Sequence, residues 1–171
     1  MMRIEACTGD LTKQQVDAIV NAANSTLLGG GGVDGAIHAA AGPRLLEACR
    51  RVRRTRYPDG LPVGDAVATD AFELPCQWVI HTVGPNAHRG QTDPALLFAA
   101  FSRSLDVAAE LGATSIAFPA ISAGAYGWPA DDVARIGVAA ARAHLPSTVS
   151  LVRFVLFSDR LRTAFDRALA A

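Results

Sequence analysis

The segment that decides the fold covers residues 21–38 and reads Asn21-Ala22-Ala23-Asn24-Ser25-Thr26-Leu27-Leu28-Gly29-Gly30-Gly31-Gly32-Val33-Asp34-Gly35-Ala36-Ile37-His38. Four consecutive glycines stand between a compact apolar run and a helical pattern. Because glycine has no Cβ, the backbone here can adopt positive φ and approach a ligand closely. The N–H groups of the run precede a helix N-terminus, so the segment predicts an anion cradle and not a flexible linker.

Neither of the common phosphate-binding motifs matches this segment. A P-loop would end in Gly-Lys followed by Ser or Thr, whereas Val33 and Asp34 follow the glycines here. A dinucleotide-binding fingerprint spaces its glycines as GxGxxG, whereas these are contiguous and are surrounded by Asn and Asp. The segment therefore predicts an anion cradle of another kind.

Strand-like and helix-like segments alternate on both sides of the glycine run. Strands rich in Val, Ile and Phe are predicted at Arg3–Thr8, Ala18–Ala22, Trp78–Val83, Ser115–Ala120 and Leu151–Phe157, with a weaker one at Asp65–Asp70. Helices are predicted at Gly35–Ala41, Leu45–Arg56, Asp93–Leu111, Ala130–Leu145 and Asp159–Ala170. This alternation favours a mostly parallel sheet covered by helices on both faces. No repeat or linker interrupts it, so we expect a single domain over residues 1–171.

The composition argues against several classes of protein. Half of the 171 residues are hydrophobic and the mean hydropathy is +0.23, which argues against disorder. Sixteen basic residues balance sixteen acidic ones, so total charge does not indicate a general polyanion binder. A local excess is typical of the solvated end of a helix, with nucleic-acid binding as the alternative, and it consists of Arg50, Arg51, Arg53, Arg54 and Arg56.

The three cysteines, Cys7, Cys49 and Cys76, have neither zinc-knuckle nor CxxC spacing. We expect reduced thiols packed as small apolar side chains, as in cytoplasmic proteins. The sequence contains no apolar run of 18 residues and no signal-peptide pattern, so we expect neither a membrane partner nor export. No cluster of His and Cys indicates a metal, and no cofactor is expected.

Three further segments follow predicted strands, where open α/β sheets bind their ligands. Asp10, in Gly9-Asp10-Leu11-Thr12, can accept a hydrogen bond from an exocyclic amine such as that of adenine, or it caps the next turn. Residues 121–129 form a second loop of small residues, and two loops with accessible amides suggest a clamped diphosphate. Tyr126 either covers a sugar or packs this loop. Phe157 either stacks on a purine or fills the core.

Together these segments resemble the macrodomain family, and within it the MacroD-type branch of ADP-ribosyl hydrolases. The matching stretches are Gly9–Thr12, Asp17–Asn24 continuing through Gly29–His38, Val79–Pro85 and Ile121–Gly127. They occur in the family's order and span the chain nearly end to end. The resemblance implies a macrodomain-like three-layer α/β/α sandwich with a central, mostly parallel mixed sheet.

The resemblance also implies a role for each site residue. Asp10 would bind the adenine amine beside the Leu11 backbone, and Phe157 would stack on the adenine ring. Asn24 would hold the distal ribose hydroxyls and Asp34 would polarise a water near the anomeric carbon, which makes these two the implied catalytic residues. The diphosphate would be clamped by two loops, Gly30-Gly31-Gly32-Val33 and Ser122-Ala123-Gly124-Ala125-Tyr126.

The implied activity is removal of mono-ADP-ribose from proteins modified on Asp or Glu, with deacetylation of O-acetyl-ADP-ribose as a second reaction. The implied partners are ADP-ribose and mono-ADP-ribosylated proteins, and no metal is required. Two alternatives stay open: a non-catalytic reader of ADP-ribose, and a hydrolase of ADP-ribosylated nucleic acid. The presence of both Asn24 and Asp34 favours the hydrolase, because pure binders of this fold often lack one of them.

Some features depart from the family pattern. Ala123 stands where the family often has the threonine of Ser-Thr-Gly, which a clamp made of backbone amides tolerates. The segment Asn86–Asp93 lacks the family's aromatic-glycine pattern, so we expect a reshaped distal-ribose end. Lys13 is the single lysine and lies next to the implied adenine end, which argues against the lysine mechanism of a related branch. His38 and His81 are expected to be structural or supporting residues and not catalytic bases.

Overall fold

The computed structural model describes residues 2–171, and strands alternate with helices through most of this range. The strands are β1 (Arg3–Thr8), β2 (Ala18–Ala23), β3 (Ala66–Asp70), β4 (Trp78–Val83), β5 (Ser115–Phe118) and β6 (Leu151–Leu156). The helices are α1 (Gly32–Ala41), α2 (Pro43–Thr55), α3 (Pro94–Glu110), α4 (Ala130–Ala143) and α5 (Asp159–Ala170). Each predicted strand and helix is confirmed, and its ends differ from the prediction by at most three residues.

The strands form a six-stranded sheet in the order β1-β6-β5-β2-β4-β3. Neighbouring strands are parallel except for β3, which runs antiparallel to β4 at one edge. The prediction of a mostly parallel mixed sheet is therefore confirmed. Because the parallel strands end at the same edge of the sheet, the segments that follow β1, β2, β4, β5 and β6 meet there.

Helices cover both faces of the sheet, which confirms the three-layer α/β/α arrangement. One core lies under α3, α4 and α5 and includes Phe101, Phe118 and Phe154, all fully buried. The other core lies under α1 and α2 and includes Ile37 and Leu45. Each buried phenylalanine or leucine contributes about 1.5–3 kcal/mol by leaving water. Within residues 2–171, no helix has both the length and the apolar character that a membrane crossing needs.

The alternation of side chains along β2 decides on which face of the sheet Asn21 lies. Ala18 and Val20 pack in the core under α3–α5, whereas Ile19 and Ala23 pack in the core under α1 and α2. Asn21 shares the parity of Ile19 and Ala23 and is 1% exposed. Its amide therefore lies buried beneath α1.

The element ends that differ from the prediction have local causes. β5 ends at Phe118 instead of residue 120, because Pro119 has no N–H to continue the strand ladder. α4 ends at Ala143 instead of residue 145, since Pro146 disfavours the helical conformation of the residue before it. α1 begins at Gly32 instead of residue 35. The N–H groups of a first helical turn have no helical acceptor in any case, so glycine can begin a helix there.

Candidate functional site

An elongated groove lies at the edge of the sheet where the parallel strands end. A cleft of about 360 Å³ opens between the N-terminus of α1 and the loop after β5. A second cavity of about 400 Å³ extends to the turn after β1. The two cavities share Gly32, Val33, Pro119 and Phe157, so they form one groove. Each cavity has the volume of a small-molecule site.

The groove brings together all but one of the candidate residues. The cleft is lined by Asn24, Gly30, Gly31, Gly32, Val33, Asp34, Ser122, Gly124, Ala125, Tyr126 and Phe157, and the second cavity also by Asp10 and Leu11. Ala123 does not line the groove, because its N–H donates to the Ala120 carbonyl at 3.1 Å and its side chain packs on the core under α3–α5. Sequence reasoning missed the cleft residues Ala22, Pro119 and Ala120, which carry no chemical signal of their own.

The glycine run presents N–H groups because α1 begins inside it. The first backbone hydrogen bond of α1 runs from Gly35 N to Gly31 O at 3.3 Å. The N–H groups of Gly32, Val33 and Asp34 therefore have no acceptor within the helix. They point out of the positive end of the helix dipole, so this end of the cleft favours an anion.

Within the run of four, glycine is needed for its conformation at two positions. Gly29 and Gly32 have φ of +87° and +58°, in the left-handed region that side chains disfavour. Gly35, one turn into α1, is needed for space instead. A Cβ on Gly35 would lie 2.8 Å from the Gly30 carbonyl oxygen, so any side chain there would displace the loop.

The loop after β5 contains a strained residue. Ser122 has φ of +69°, which is costly for a residue with a Cβ, and its Oγ is buried without a partner among residues 2–171. Its side chain fits against Gly84, where a Cβ would collide with Ser122 Oγ. In the part of the chain that the structure describes, no hydrogen-bond acceptor takes the N–H of Gly124, Ala125 or Tyr126. A second set of free amides thus faces the α1 N-terminus across the cleft.

Asp34 stands at the inner end of the cleft with one oxygen held and the other free. Oδ1 accepts a hydrogen bond from Asn21 Nδ2 at 2.9 Å, and His38 Nε2 lies 3.3 Å from the same oxygen. Oδ2 faces Gly30, where a Cβ would lie 3.3 Å from it and 3.4 Å from Asn24 Nδ2. Asp34 as a whole is 5% exposed. The fold therefore directs a single carboxylate oxygen towards the cleft.

Behind Asp34 lies a buried polar chain that sequence reasoning did not predict. Asn21 Nδ2 donates to Asp34 and also lies 3.1 Å from His81 Nδ1, and the two residues are register partners in β2 and β4. His81 Nε2 lies 3.0 Å from Thr69 Oγ1, which donates to the Asp70 carbonyl. Because Asn21 is the donor at Nδ1, the His81 proton is on Nε2 and points to Thr69. A polar residue inside the apolar strand β2 was the signal available in the sequence.

The surroundings shift the pKa of three titratable groups in this cluster, Asp34, His81 and Cys49. Burial acts most strongly on Asp34 and opposes its ionisation, but the His38 and Asn21 contacts outweigh burial and lower its pKa. Burial lowers the pKa of His81 from 6.5 to about 4, with Asp34 opposing the shift and His38 adding to it. Burial, followed by the Asp34 charge, raises the pKa of Cys49 to about 12. At neutral pH the cluster holds an ionised Asp34 beside a neutral His81.

Acid is expected to destabilise the fold through His81. Between pH 6.5 and about 4 the unfolded chain binds a proton at this residue that the folded chain does not bind. The free energy of unfolding therefore falls as the pH falls through this window, by up to about 3 kcal/mol. We expect His81→Gln to flatten this pH slope in urea-unfolding curves, whereas His88→Gln, at an exposed position, keeps it. Equal slopes in the wild type and His81→Gln would contradict this expectation.

Asn24 stabilises the loop after β2 and has one side-chain N–H that is not used within residues 2–171. Its Nδ2 donates to the Gly29 carbonyl at 3.1 Å, and its Oδ1 accepts from the backbone N–H and the hydroxyl of Thr26. An amide NH₂ has two donors, so one remains for a ligand at the cleft. Asn24 can therefore offer a single N–H to a hydroxyl group.

The other end of the groove combines a carboxylate with an exposed aromatic ring. Asp10 caps the turn Leu11–Lys13, because its Oδ1 accepts from the backbone N–H of Thr12 at 2.9 Å and from the Thr12 hydroxyl. Both bonds use the same oxygen, so Oδ2 stays available to an amine. Phe157 is 71% exposed and lines both cavities, which rules out the core-packing alternative.

The arginines at the end of α2 differ in their contacts. Arg53 is structural, since it donates to the carbonyls of Thr26, Tyr57 and Pro58 and so ties α2 to the loop that carries Asn24. The cluster's other arginines are exposed. Within residues 2–171, no three His, Cys, Asp or Glu side chains converge as a metal site would require.

The fold and the groove define a class of protein: an α/β/α domain with two amide-rich loops and a buried carboxylate at the edge where its parallel strands end. The family model of the Macro domain matches residues 20–137. The chain belongs to the macro domain family.

Relatives and solved structures cover nearly the whole chain. A macro domain-containing protein of Streptomyces griseus is 57% identical over 162 residues, which are 95% of this chain and 92% of the relative. A mutant macrodomain of Oceanobacillus iheyensis with ADPR has a TM-score of 0.90 and 41% identity, covering 98% of this chain and 90% of that one. The Trypanosoma brucei macrodomain in complex with ADP-ribose has a TM-score of 0.88 and 34% identity, covering 97% of this chain and 68% of that one.

Proposed function

We propose that this macrodomain is a MacroD-type hydrolase that removes mono-ADP-ribose from proteins modified on Asp or Glu. One observation carries the proposal: a buried carboxylate, Asp34, directs its free Oδ2 towards Gly30 and Asn24 in a cleft lined by free amides. A pure reader needs the amides but not an ionised carboxylate at the end of the cleft. The related structures that hold ADPR and ADP-ribose support this choice of ligand.

ADP-ribose fits the order of chemical groups along the groove. Adenine would lie at the outer end, where Phe157 offers an exposed ring for stacking and Asp10 Oδ2 can accept from the exocyclic amine. The diphosphate would lie between the free N–H groups of the α1 N-terminus and those of the Ser122–Tyr126 loop. The distal ribose would then reach the inner end, where Asn24 has one N–H left for a hydroxyl.

The proposed reaction is a displacement by water at the anomeric carbon of the distal ribose. The water oxygen forms a bond to that carbon, the bond from the carbon to the acceptor oxygen breaks, and the acceptor carboxylate leaves with the electron pair. Asp34 Oδ2 or a phosphate oxygen of the substrate takes the water proton. A carboxylate leaves without an added proton, so the reaction needs no second protein acid.

This scheme predicts a preference among linkages. Ser-linked and Arg-linked ADP-ribose have poor leaving groups that need protonation, and an acid is worth about 10²–10⁴-fold. We therefore expect release of ADP-ribose from Glu-linked substrate at least about 100-fold faster than from Ser- or Arg-linked substrate. Chromatography of the products from a panel of these three linkages and O-acetyl-ADP-ribose tests it. Binding of ADP-ribose without turnover of any substrate would establish a reader instead.

A further inference from the structure

A second groove lies on the outer side of the glycine loop, next to the cleft. This outer groove has a volume of about 480 Å³ and is lined by Leu28, Gly30, His38, Ala39, Pro43 and Leu46, among others. Gly30 lines both the outer groove and the cleft. The Gly30 backbone and the Asp34–His38 pair of α1 therefore separate the outer groove from the proposed reaction centre.

The lining of the outer groove suits aliphatic side chains. Leu28 is 48% exposed at its rim, and Leu46 closes it from α2. Ala39 and Pro43 add further apolar surface between them. An exposed leucine beside a concave apolar surface is typical of a site that contacts a partner.

Arginines continue the rim of the outer groove along α2. Positions four residues apart share one face of a helix, so Arg50 and Arg54 follow Leu46 in a row. Arg53 lies in the same face and donates to Thr26 O, which turns this face towards the loop that carries Leu28. Arg50 and Arg54 are exposed, and neither forms an ion pair with any residue in the range 2–171.

The positive charge is concentrated here although the whole chain is neutral. Residues 43–56 contain six arginines and a single acidic residue, Glu47, whereas the chain has sixteen charges of each sign. The local field along α2 therefore attracts negative charge to the rim of the outer groove.

We propose that the outer groove with Arg50 and Arg54 docks an acidic polypeptide segment next to the ADP-ribosylated residue. The inference rests on the proposed function, because the polypeptide that carries the ADP-ribose must leave the cleft past Gly30 to reach the outer groove. A polypeptide fits better than nucleic acid, since Leu28 and Leu46 can hold an aliphatic side chain while the arginines bind flanking carboxylates. Nucleic-acid interfaces are polar and rely on phosphate contacts.

Binding of two synthetic peptides decides the inference. Both peptides carry ADP-ribose on the same Glu. Leu, Asp and Glu flank this residue in the acidic peptide, and Gln and Ser flank it in the other. Binding is measured with the Asp34→Asn protein, so that the peptides are not hydrolysed during the measurement. We expect the acidic peptide to bind about tenfold more tightly in fluorescence anisotropy at low salt, and this advantage to vanish in Arg50→Glu/Arg54→Glu. The matched control Arg135→Glu/Arg167→Glu, with the same charge change on α4 and α5, keeps it.

Other outcomes overturn the inference. It fails if both peptides bind equally, or if the advantage survives in Arg50→Glu/Arg54→Glu. It also fails if these arginines matter for an ADP-ribosylated oligonucleotide and not for the peptides, which would indicate nucleic acid. Turnover of O-acetyl-ADP-ribose, expected to be equal in the wild type and Arg50→Glu/Arg54→Glu, is measured separately. If the wild type turns over no substrate, the hydrolase proposal fails while the binding result still decides the docking surface.

Discussion

Asp34→Asn is expected to lower the release of ADP-ribose from Glu-modified protein by about 10²–10⁴-fold. The amide keeps the shape of the side chain, and its oxygen can still accept from Asn21 Nδ2. The substitution removes the negative charge that would polarise the water and accept its proton. Calorimetric binding of ADP-ribose should change by no more than about threefold, because in the proposed complex the diphosphate would be held by amides and not by this side chain.

A matched control tests whether the loss depends on the location of Asp34 and not merely on removing a carboxylate from the first turn of a helix. Asp132 occupies the first turn of α4, as Asp34 occupies the first turn of α1, but it does not line the cleft and is paired with Arg135. Asp132→Asn is therefore expected to leave turnover unchanged. Full activity in Asp34→Asn would exclude the proposed role of this carboxylate.

The pH dependence follows from the lowered pKa of Asp34. Its ordinary value is 3.8, and the folded protein holds it below that. The group is therefore ionised at neutral pH, and its contribution to stability is lost only as the pH falls through the lowered value. A rate controlled by Asp34 should stay flat from pH 8 to about 5, apart from any loss of folded protein through His81.

Asn21→Leu is expected to have the second largest effect. Leucine fills similar space but removes the donor shared by Asp34 Oδ1 and His81 Nδ1. Asp34 Oδ1 keeps His38 Nε2 at 3.3 Å, but His81 Nδ1 is left unpaired and buried, which costs about 1–3 kcal/mol of unfolding free energy. With burial unopposed by this hydrogen bond, the pKa of Asp34 rises. A less well held carboxylate should also lower kcat roughly 10- to 100-fold.

The pH profile distinguishes a positioning role from loss of stability alone. We expect the acid limb of kcat to move to higher pH in Asn21→Leu, measured at a temperature where the variant is folded by circular dichroism. Ser104→Ala is the control, since it removes a fully buried hydroxyl that donates to Ala100 O, away from the cleft. It should cost stability without moving the profile. An unchanged kcat and acid limb in Asn21→Leu would show that Asn21 does not position Asp34.

If Asn21→Leu does not fold, Thr69→Val tests the same chain from its far end. Thr69 Oγ1 is the partner of His81 Nε2, and valine preserves its shape. We expect a smaller loss of kcat than in Asn21→Leu, in the same direction, because His81 keeps Asn21 at Nδ1 and only the longer Cys49 Sγ contact, at 3.8 Å, at Nε2. An unaltered kcat in a folded Thr69→Val protein would remove His81 from the positioning chain.

The order of strands and helices could be predicted from the sequence because its signals are local. Apolar runs, helical stripes and prolines act within a few residues, so β4 and α5 begin and end where the sequence places them. The parallel sheet follows from their alternation, and with it the edge where the loops meet. The candidate residues therefore converged from their positions after strands, Ala123 excepted.

The roles of single side chains depended on contacts that no local pattern contains. Whether Phe157 filled the core or faced the groove could not be decided from its neighbours, and Arg53 looked like one more charge of a solvated helix end. The structure exposes the ring and ties Arg53 to Thr26, a residue 27 positions away. Both outcomes depend on how whole elements pack.

The glycine-rich stretch from Asn21 to His38 shows the same contrast between what local sequence determines and what tertiary packing decides. By itself the sequence determined a strand, a loop with free amides and a helix, since glycine's lack of a Cβ and the open first turn of a helix act locally. Only the tertiary structure decided what Asn21 does. Its partner His81 is 60 residues away and meets it because β2 and β4 pair in one register. Register is set by the packing of the whole sheet, and a slip of one residue in either strand would turn that strand's side chain to the other face, away from its partner.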